Sequence, residues 1–190
     1  MRITGGIARG IPLKVPQKTT VRPATDFLRE AIFSSLGPIV QDASFLDLFA
    51  GTGAYGLETL SRGACLGTFV ERDRKTILTL KDNLAAVAKS LQCDPGACEC
   101  ISKDVLNFTP KNEQRFDLIF IDPPYEMSRD GIEPLLEKLP AWLTPTETAR
   151  IILEIPGELP PPLISGLEPL RTLGKASANQ PCAIIYGKTS

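Results

Sequence analysis

Strand-like apolar runs that alternate with helical periodicity, and then close in two strand-like runs with no helix between them, predict an α/β fold. The expected architecture is a doubly wound, mostly parallel seven-stranded sheet ending in an antiparallel hairpin, with a small N-terminal β-hairpin and helix as an appendage. Three observations carry it. Ser44–Phe49 and Phe116–Asp122 have the pattern of buried strands; Ile77, Leu80, Leu84, Val87 and Leu91 recur at helical spacing between strand patterns; and the Pro-rich 156–162 segment precedes the closing pair of strands. A chain of 190 residues suits one core, divided here into a basic extension over 1–38 and a main domain over 39–190.

In chain order, residues 2–15 alternate loosely around Gly5-Gly6 and Arg9-Gly10, which predicts a small hairpin with a bulge. Thr25 is placed to cap a helix with Asp26 in its first turn and a stop at Gly37-Pro38. Strand Ser44–Phe49 runs into a glycine loop and a helix reaching about Arg62, and Gly67–Glu71 is the next strand. Asp73 then caps the long helix, and Cys98–Ser102 leads to Asp104 as the third strand. Phe116–Asp122 is the fourth strand and Ala149–Ile155 the fifth, with a helix from about Gly131 to Leu139 between them. Glu168–Lys175 and Cys182–Lys188, separated by Ala176–Pro181, form the terminal hairpin.

Composition narrows the chemistry. The chain has no histidine, which removes Ser-His-Asp and Cys-His catalysis and any His-ligated metal. Cys93, Cys98 and Cys100 cluster, but their spacing fits no common zinc pattern, so no metal is expected and the five cysteines read as free thiols. No apolar run approaches the roughly 20 residues that span a bilayer, and Met1–Gly6 has no apolar signal region, so the expectation is a cytoplasmic protein with no membrane partner. No exposed heptad pattern suggests assembly, so a monomer is expected. The net charge is −1, yet residues 1–37 carry six bases against Asp26 and Glu30, a local balance of +4 that leaves −5 for the rest. A basic arm on a mildly acidic body points to a polyanionic partner.

Gly51-x-Gly53-x-x-Gly56 follows a strand, opens a helix, and is followed by Glu71 at the end of the next strand, 20 residues after Gly51. Glycines permit the tight turn and close approach of a ligand, and the acid can bind ribose hydroxyls, so a nucleoside cofactor is indicated. Asp47, just before the loop, would repel the pyrophosphate of NAD but attract the sulfonium and ammonium groups of S-adenosylmethionine, which favours the methyl donor. Asp104 is placed to bond the adenine amine with Val105 beside the ring, or alternatively to cap a turn. Asp122-Pro123-Pro124-Tyr125 then ends a strand in a stiff turn, because proline cannot donate to a ladder and holds the preceding residue extended. A carboxylate, a carbonyl and a flat ring at a strand's C-terminal end can hold a planar amine.

With both motifs on strand ends of one sheet, the chain resembles class I, Rossmann-like S-adenosylmethionine-dependent methyltransferases. More narrowly, it resembles the bacterial 16S rRNA guanine-N2 methyltransferase (RsmD-like) family. The residues that carry the likeness are Met1–Gly6 with Arg9-Gly10, Arg22–Asp26 with Arg29–Phe33, Asp47–Gly53 with Gly56–Glu58 and Ser61–Ala64, and Asp122–Tyr125. The resemblance implies Asp122, Pro123, Pro124 and Tyr125 as catalytic residues, and Asp47, Phe49, Ala50, Gly51, Gly53, Glu71, Arg72, Asp104 and Val105 as donor-binding residues. It further implies that Arg2, Arg9, Lys14, Arg22 and Arg29 contact 16S rRNA of the assembled or assembling small ribosomal subunit, and that S-adenosylhomocysteine is the product. Tyr125 would stack on the extruded base, an interaction worth about 1–3 kcal/mol. The competing readings are the same chemistry on another RNA or on adenine N6 of DNA, an NAD-dependent oxidoreductase, and a non-catalytic RNA-binding module.

Overall fold

A computed structural model describes residues 1–15, 23–129, 131–174, 177 and 180–188, with the side chains of residues 23–25, 125 and 129 outside that description. The strands are β1 (Ser44–Leu48), β2 (Leu66–Glu71), β3 (Cys98–Ser102), β4 (Leu118–Ile121), β5 (Arg150–Pro156), β6 (Leu167–Gly174) and β7 (Pro181–Lys188). The helices are α1 (Pro23–Leu36), α2 (Ala54–Ser61), α3 (Arg74–Leu91), α4 (Tyr125–Arg129), α5 (Glu133–Leu136) and α6 (Leu139–Trp142). The strands join in one sheet of order β3-β2-β1-β4-β5-β7-β6, parallel except where β7 pairs with β5 and β6. This is the seven-stranded, doubly wound sheet with a terminal hairpin that the alternating pattern predicts.

Both faces of the sheet are covered, which is why β1, β4 and β5 are almost wholly buried. Phe45, Phe69, Phe120 and Ile152 face α1–α3 in one cluster, and Leu46, Val70, Ile119 and Leu153 face α5 and α6 in the other. The N-terminal segment shares the first cluster through Ile3, Ala8, Leu13, Leu28, Ile32 and Phe33, so it is built onto the body by apolar packing. Its hairpin is closed by the bridge from Arg2 to Pro12, and its tip docks on the end of α2, where Ile7 N donates to Ser61 O (2.8 Å) and Ala8 N to Ser61 Oγ (3.0 Å).

Several expected boundaries move. α1 begins at Pro23 and not after Thr25, since proline suits the first helical position, where no intrahelical N–H is needed. β4 is shorter at both ends than Phe116–Asp122: Phe116 bridges to Leu143, and the Asp117 carboxylate accepts from Ser44 N (2.9 Å), Ser44 Oγ (2.8 Å) and Thr144 Oγ1 (2.8 Å), pinning β4 to β1 below the sheet. The single helix expected near 131–139 is two short helices, α5 and α6, because Pro140 has no N–H to carry a continuous helix past Leu136. No helix among the described residues is long and apolar enough to cross a membrane.

α2 lies close on the sheet because Gly56 has no side chain: a Cβ there would stand 2.2 Å from Phe69 Cε1 and 2.6 Å from Phe45 Cε2. Those two rings already meet edge to face at 5.3 Å between centroids. Gly56→Ala is therefore expected to destabilise the protein by about 1–3 kcal/mol through overpacking, read as a lower urea midpoint at unchanged slope.

Candidate active site

Strand order reverses between β1 and β4, and the cavity of about 520 Å³ that opens over their C-terminal ends is lined by Phe49, Glu71, Arg72, Asp73, Asp104, Val105, Asp122, Pro123, Pro124 and Met127. The carboxylate beyond β2 and the Asp-Pro-Pro turn beyond β4, 51 residues apart in the chain, thus face one space.

The loop from β1 to α2 winds tightly, with positive φ at Phe49 (59°), Gly51 (54°) and Gly53 (88°). A left-handed Phe is strained, whereas Gly51 takes this conformation without a Cβ penalty. Glu71 braces the loop and the following turn, its Oε2 accepting from Gly51 N (3.0 Å) and its Oε1 from Asp73 N (2.8 Å). Asp73 caps α3 as expected, accepting from Thr76 N (2.7 Å). Asp104 caps a short 3-10 turn, its Oδ1 accepting from Leu106 N (2.9 Å), and it lines the cavity with Val105.

Asp47 is buried below the loop, and Oδ2 accepts from Gly56 N at 2.9 Å. Burial, opposed by that bond and reinforced by the Glu71 charge, pushes its carboxyl up to about 7. Solvent reaches Asp122 through the cavity mouth, but the surrounding walls and then the carboxylates of Glu154 and Asp47 raise its pKa well above the ordinary range. The Pro124 carbonyl is committed to the start of α4, accepting from Met127 N (2.9 Å) and Ser128 N (3.1 Å). Tyr125 opens α4, and its expected stacking role falls on a side chain outside the described set.

The basic residues divide. Arg2 and Arg9 are exposed and share a cleft with Thr4, Asp26, Phe27 and Glu30, and Lys14 is exposed in a 2.8 Å ion pair with Asp82. Arg22 lies outside the described residues. Arg29, expected to reach RNA, is corrected to an interior role: it is 2% exposed, and its Nη2 donates to Arg2 O (2.7 Å) and Asp26 Oδ1 (2.9 Å). A guanidinium with this many internal acceptors, and Glu58 3.6 Å away, holds the arm to the body and does not present charge to solvent.

Two polar residues beneath the cavity, Tyr55 and Glu154, are not among the site residues expected from the sequence. Glu154 is buried on β5 and accepts from Tyr55 Oη of α2 at 2.6 Å. A lone acid within Ile151-Ile152-Leu153-Glu154-Ile155 is the signal that could have found it, because a buried charge needs a partner. The cysteines stand elsewhere: Cys98 and Cys100 are on β3, and burial pushes the Cys98 thiol up to about 12.

Comparison with known proteins places this geometry among relatives. The family model described as conserved hypothetical protein 95 matches residues 1–186. The chain is 35% identical over 162 residues to ribosomal RNA small subunit methyltransferase D of Escherichia coli (strain K12), covering 84% of this chain and 78% of that one. It is 36% identical over 149 residues to the protein of the same name from Haemophilus influenzae, covering 76% and 74%. Among solved structures, yhhF from Escherichia coli superposes with a TM-score of 0.80 at 32% identity, over 99% of this chain and 97% of that one.

The raised Asp47 pKa carries a prediction. A folded-state value near 7 against an ordinary 3.8 means that the stability linked to its proton is fully present below about 3.8 and is lost as pH rises through 7. Asp47→Asn, which keeps an acceptor for Gly56 N, is expected to melt above the wild type at pH 8, with the gap narrowing steadily as pH falls towards 4.

Proposed function

The chain belongs to the family described as conserved hypothetical protein 95, and on that premise we propose that it is an S-adenosylmethionine-dependent methyltransferase that modifies the exocyclic N2 amine of a guanine in 16S ribosomal RNA. The observation that carries this reading is the shared cavity in which Glu71 and Asp104 face Asp122-Pro123-Pro124.

The lining fits a cationic nucleoside donor. Glu71, Asp73, Asp104 and Asp122 stand against the Arg72 guanidinium, a balance that attracts a sulfonium and repels a pyrophosphate. Asp47 adds a further carboxyl from below. Glu71 and Asp104 are acceptors for ribose hydroxyls and an adenine amine, and the bare glycine turn admits close approach. When bound, the donor supplies an electrophilic methyl group.

The chain's own residues supply alignment and a base. The guanine amine is a poor nucleophile because its lone pair is delocalised into the ring. If the Asp122 carboxylate and the Pro123 carbonyl accept its two N–H bonds, the nitrogen becomes pyramidal and its lone pair is aimed at the methyl carbon. After transfer the nitrogen is cationic, and Asp122 accepts its proton; no histidine is needed. Stacking of the extruded base on Tyr125 would offset part of the unstacking cost.

The protein's slight negative charge gives little attraction for naked RNA, so a structured target within the small ribosomal subunit is the natural substrate, met by the exposed Arg2 and Arg9. The protein acts as a cytoplasmic monomer in this reading.

Two measurements test the proposal. Asp122→Ala is expected to lower the single-turnover rate of labelled methyl transfer to 30S particles by about 100-fold or more with donor affinity retained; an unchanged rate would remove Asp122 from the mechanism. Charge reversal of Arg2 and Arg9 together is expected to weaken binding to 30S particles and flatten its log–log salt dependence by roughly one unit for every phosphate that is no longer neutralised, while calorimetry with the donor stays unchanged.

A further inference from the structure

The β4–β5 register pairs Ile121 with Leu153, so one step further Asp122 and Glu154 stand abreast. Side chains at matched positions of neighbouring parallel strands project from the same face, with about 4.8 Å between the strands. Glu154 is only 6% exposed, and its carboxylate is held from above by Tyr55, whose ring is itself stacked on Phe120 at 5.5 Å and 16°. Tyr55 is therefore fixed at both ends, by its ring and by its hydroxyl.

We propose that Glu154, clamped by Tyr55 beside Asp122, is a positioning residue that makes Asp122 the proton acceptor of the reaction. Two adjacent carboxyl groups cannot both ionise freely, and their environments decide which takes the first proton as pH falls. Burial raises the Glu154 pKa above the ordinary carboxylate value, but the Tyr55 hydroxyl and then the Arg29 guanidinium from α1 oppose that rise by favouring its ionised form. Among the described groups neither acts in the same way on Asp122, which faces the further carboxyl of Asp47 from β1. On the β7 side, Cys182 is a further titratable group near Glu154, its thiol pushed up by burial and then by the Glu154 charge. The proton is thus directed to Asp122, the member of the pair that lines the cavity.

In the transfer, the amine nitrogen forms the bond to the methyl carbon as the carbon–sulfur bond breaks with its electron pair going to sulfur. The methylated nitrogen then gives its proton to Asp122, which releases it to solvent through the cavity mouth. The charge of Glu154 raises the basicity of Asp122 for this step, and Tyr55 keeps that charge in place.

The inference rests on the methyl-transfer reading, but its first test needs neither donor nor RNA. Glu154→Gln removes the charge while keeping an acceptor for Tyr55. Carboxyl-carbon NMR titration of the donor-free protein is expected to show the Asp122 midpoint falling by about one pH unit or more, and the acidic limb of the single-turnover pH profile should move down with it. An unmoved Asp122 midpoint in the folded variant would overturn the proposal. Tyr55→Phe keeps the stacked ring and is expected to raise the Glu154 midpoint, so an unchanged Glu154 titration there would overturn it equally, even if Glu154→Gln does not fold. Failure of the wild type to methylate any RNA would instead overturn the assigned function, a result separate from either titration.

Discussion

Strands β1 and β4 run side by side, but the chain leaves β1 toward β2 on one side and leaves β4 toward β5 on the other. Right-handed crossovers in opposite directions cannot both cover the ends of these two strands, so a crevice opens above them. The rest of the site depends on that divergence. The glycine turn after β1 and the two prolines after β4 keep backbone from filling the crevice, one by coiling tightly back into α2 and the other by ending the ladder. Asp117 holds the opposite ends of the same two strands together, so the pair is tied at the base and open at the top.

The crevice is also where the fold accumulates acid. Asp47 and Glu154 stand on β1 and β5, Asp122 follows the end of β4 between them, and Glu71 ends β2. Burying like charges costs stability, and evenly spread charges would make a sturdier protein. Burial and mutual repulsion raise the pKa of Asp47 and Asp122, and a cation arriving here would favour their ionised forms. The opposite end of the sheet is held by apolar packing and hydrogen bonds.

The N-terminal extension is wired into this system by polar contacts of long sequence reach. Glu58 of α2 accepts from Thr4 N (2.7 Å) and Thr4 Oγ1 (2.8 Å) and pairs with Arg62 at 2.9 Å. Asn83 of α3 accepts from Lys14 N (2.8 Å) and donates to both Lys14 O and Thr52 O at 3.0 Å, joining the end of the arm to the glycine turn. A segment that carries exposed Arg2 and Arg9 is therefore held in fixed register with the cavity, and an RNA gripped by it would be presented at a set distance from Asp122.

Local chemistry was legible in the residues themselves. The order of strands and helices, the glycine turn, the cap at Asp73 and the stiff end of β4 each follow from neighbours a few positions apart, whose propensities and steric limits act without the rest of the molecule. A boundary set by a distant partner was not: Phe116 leaves β4 for a bridge to Leu143. Nor could charge alone tell the exposed Arg2 and Arg9 from Arg29, which closes inward because the Arg2 carbonyl and two carboxylates converge on it. Tyr55 and Glu154 meet across 99 residues, through a strand order that no short window contains. The sequence by itself determined which groups the chain carries to its strand ends; only the tertiary structure decided which of them face each other. Hydrogen bonds and charge coupling act over a few ångströms of space, and the sheet, not the chain, sets those distances.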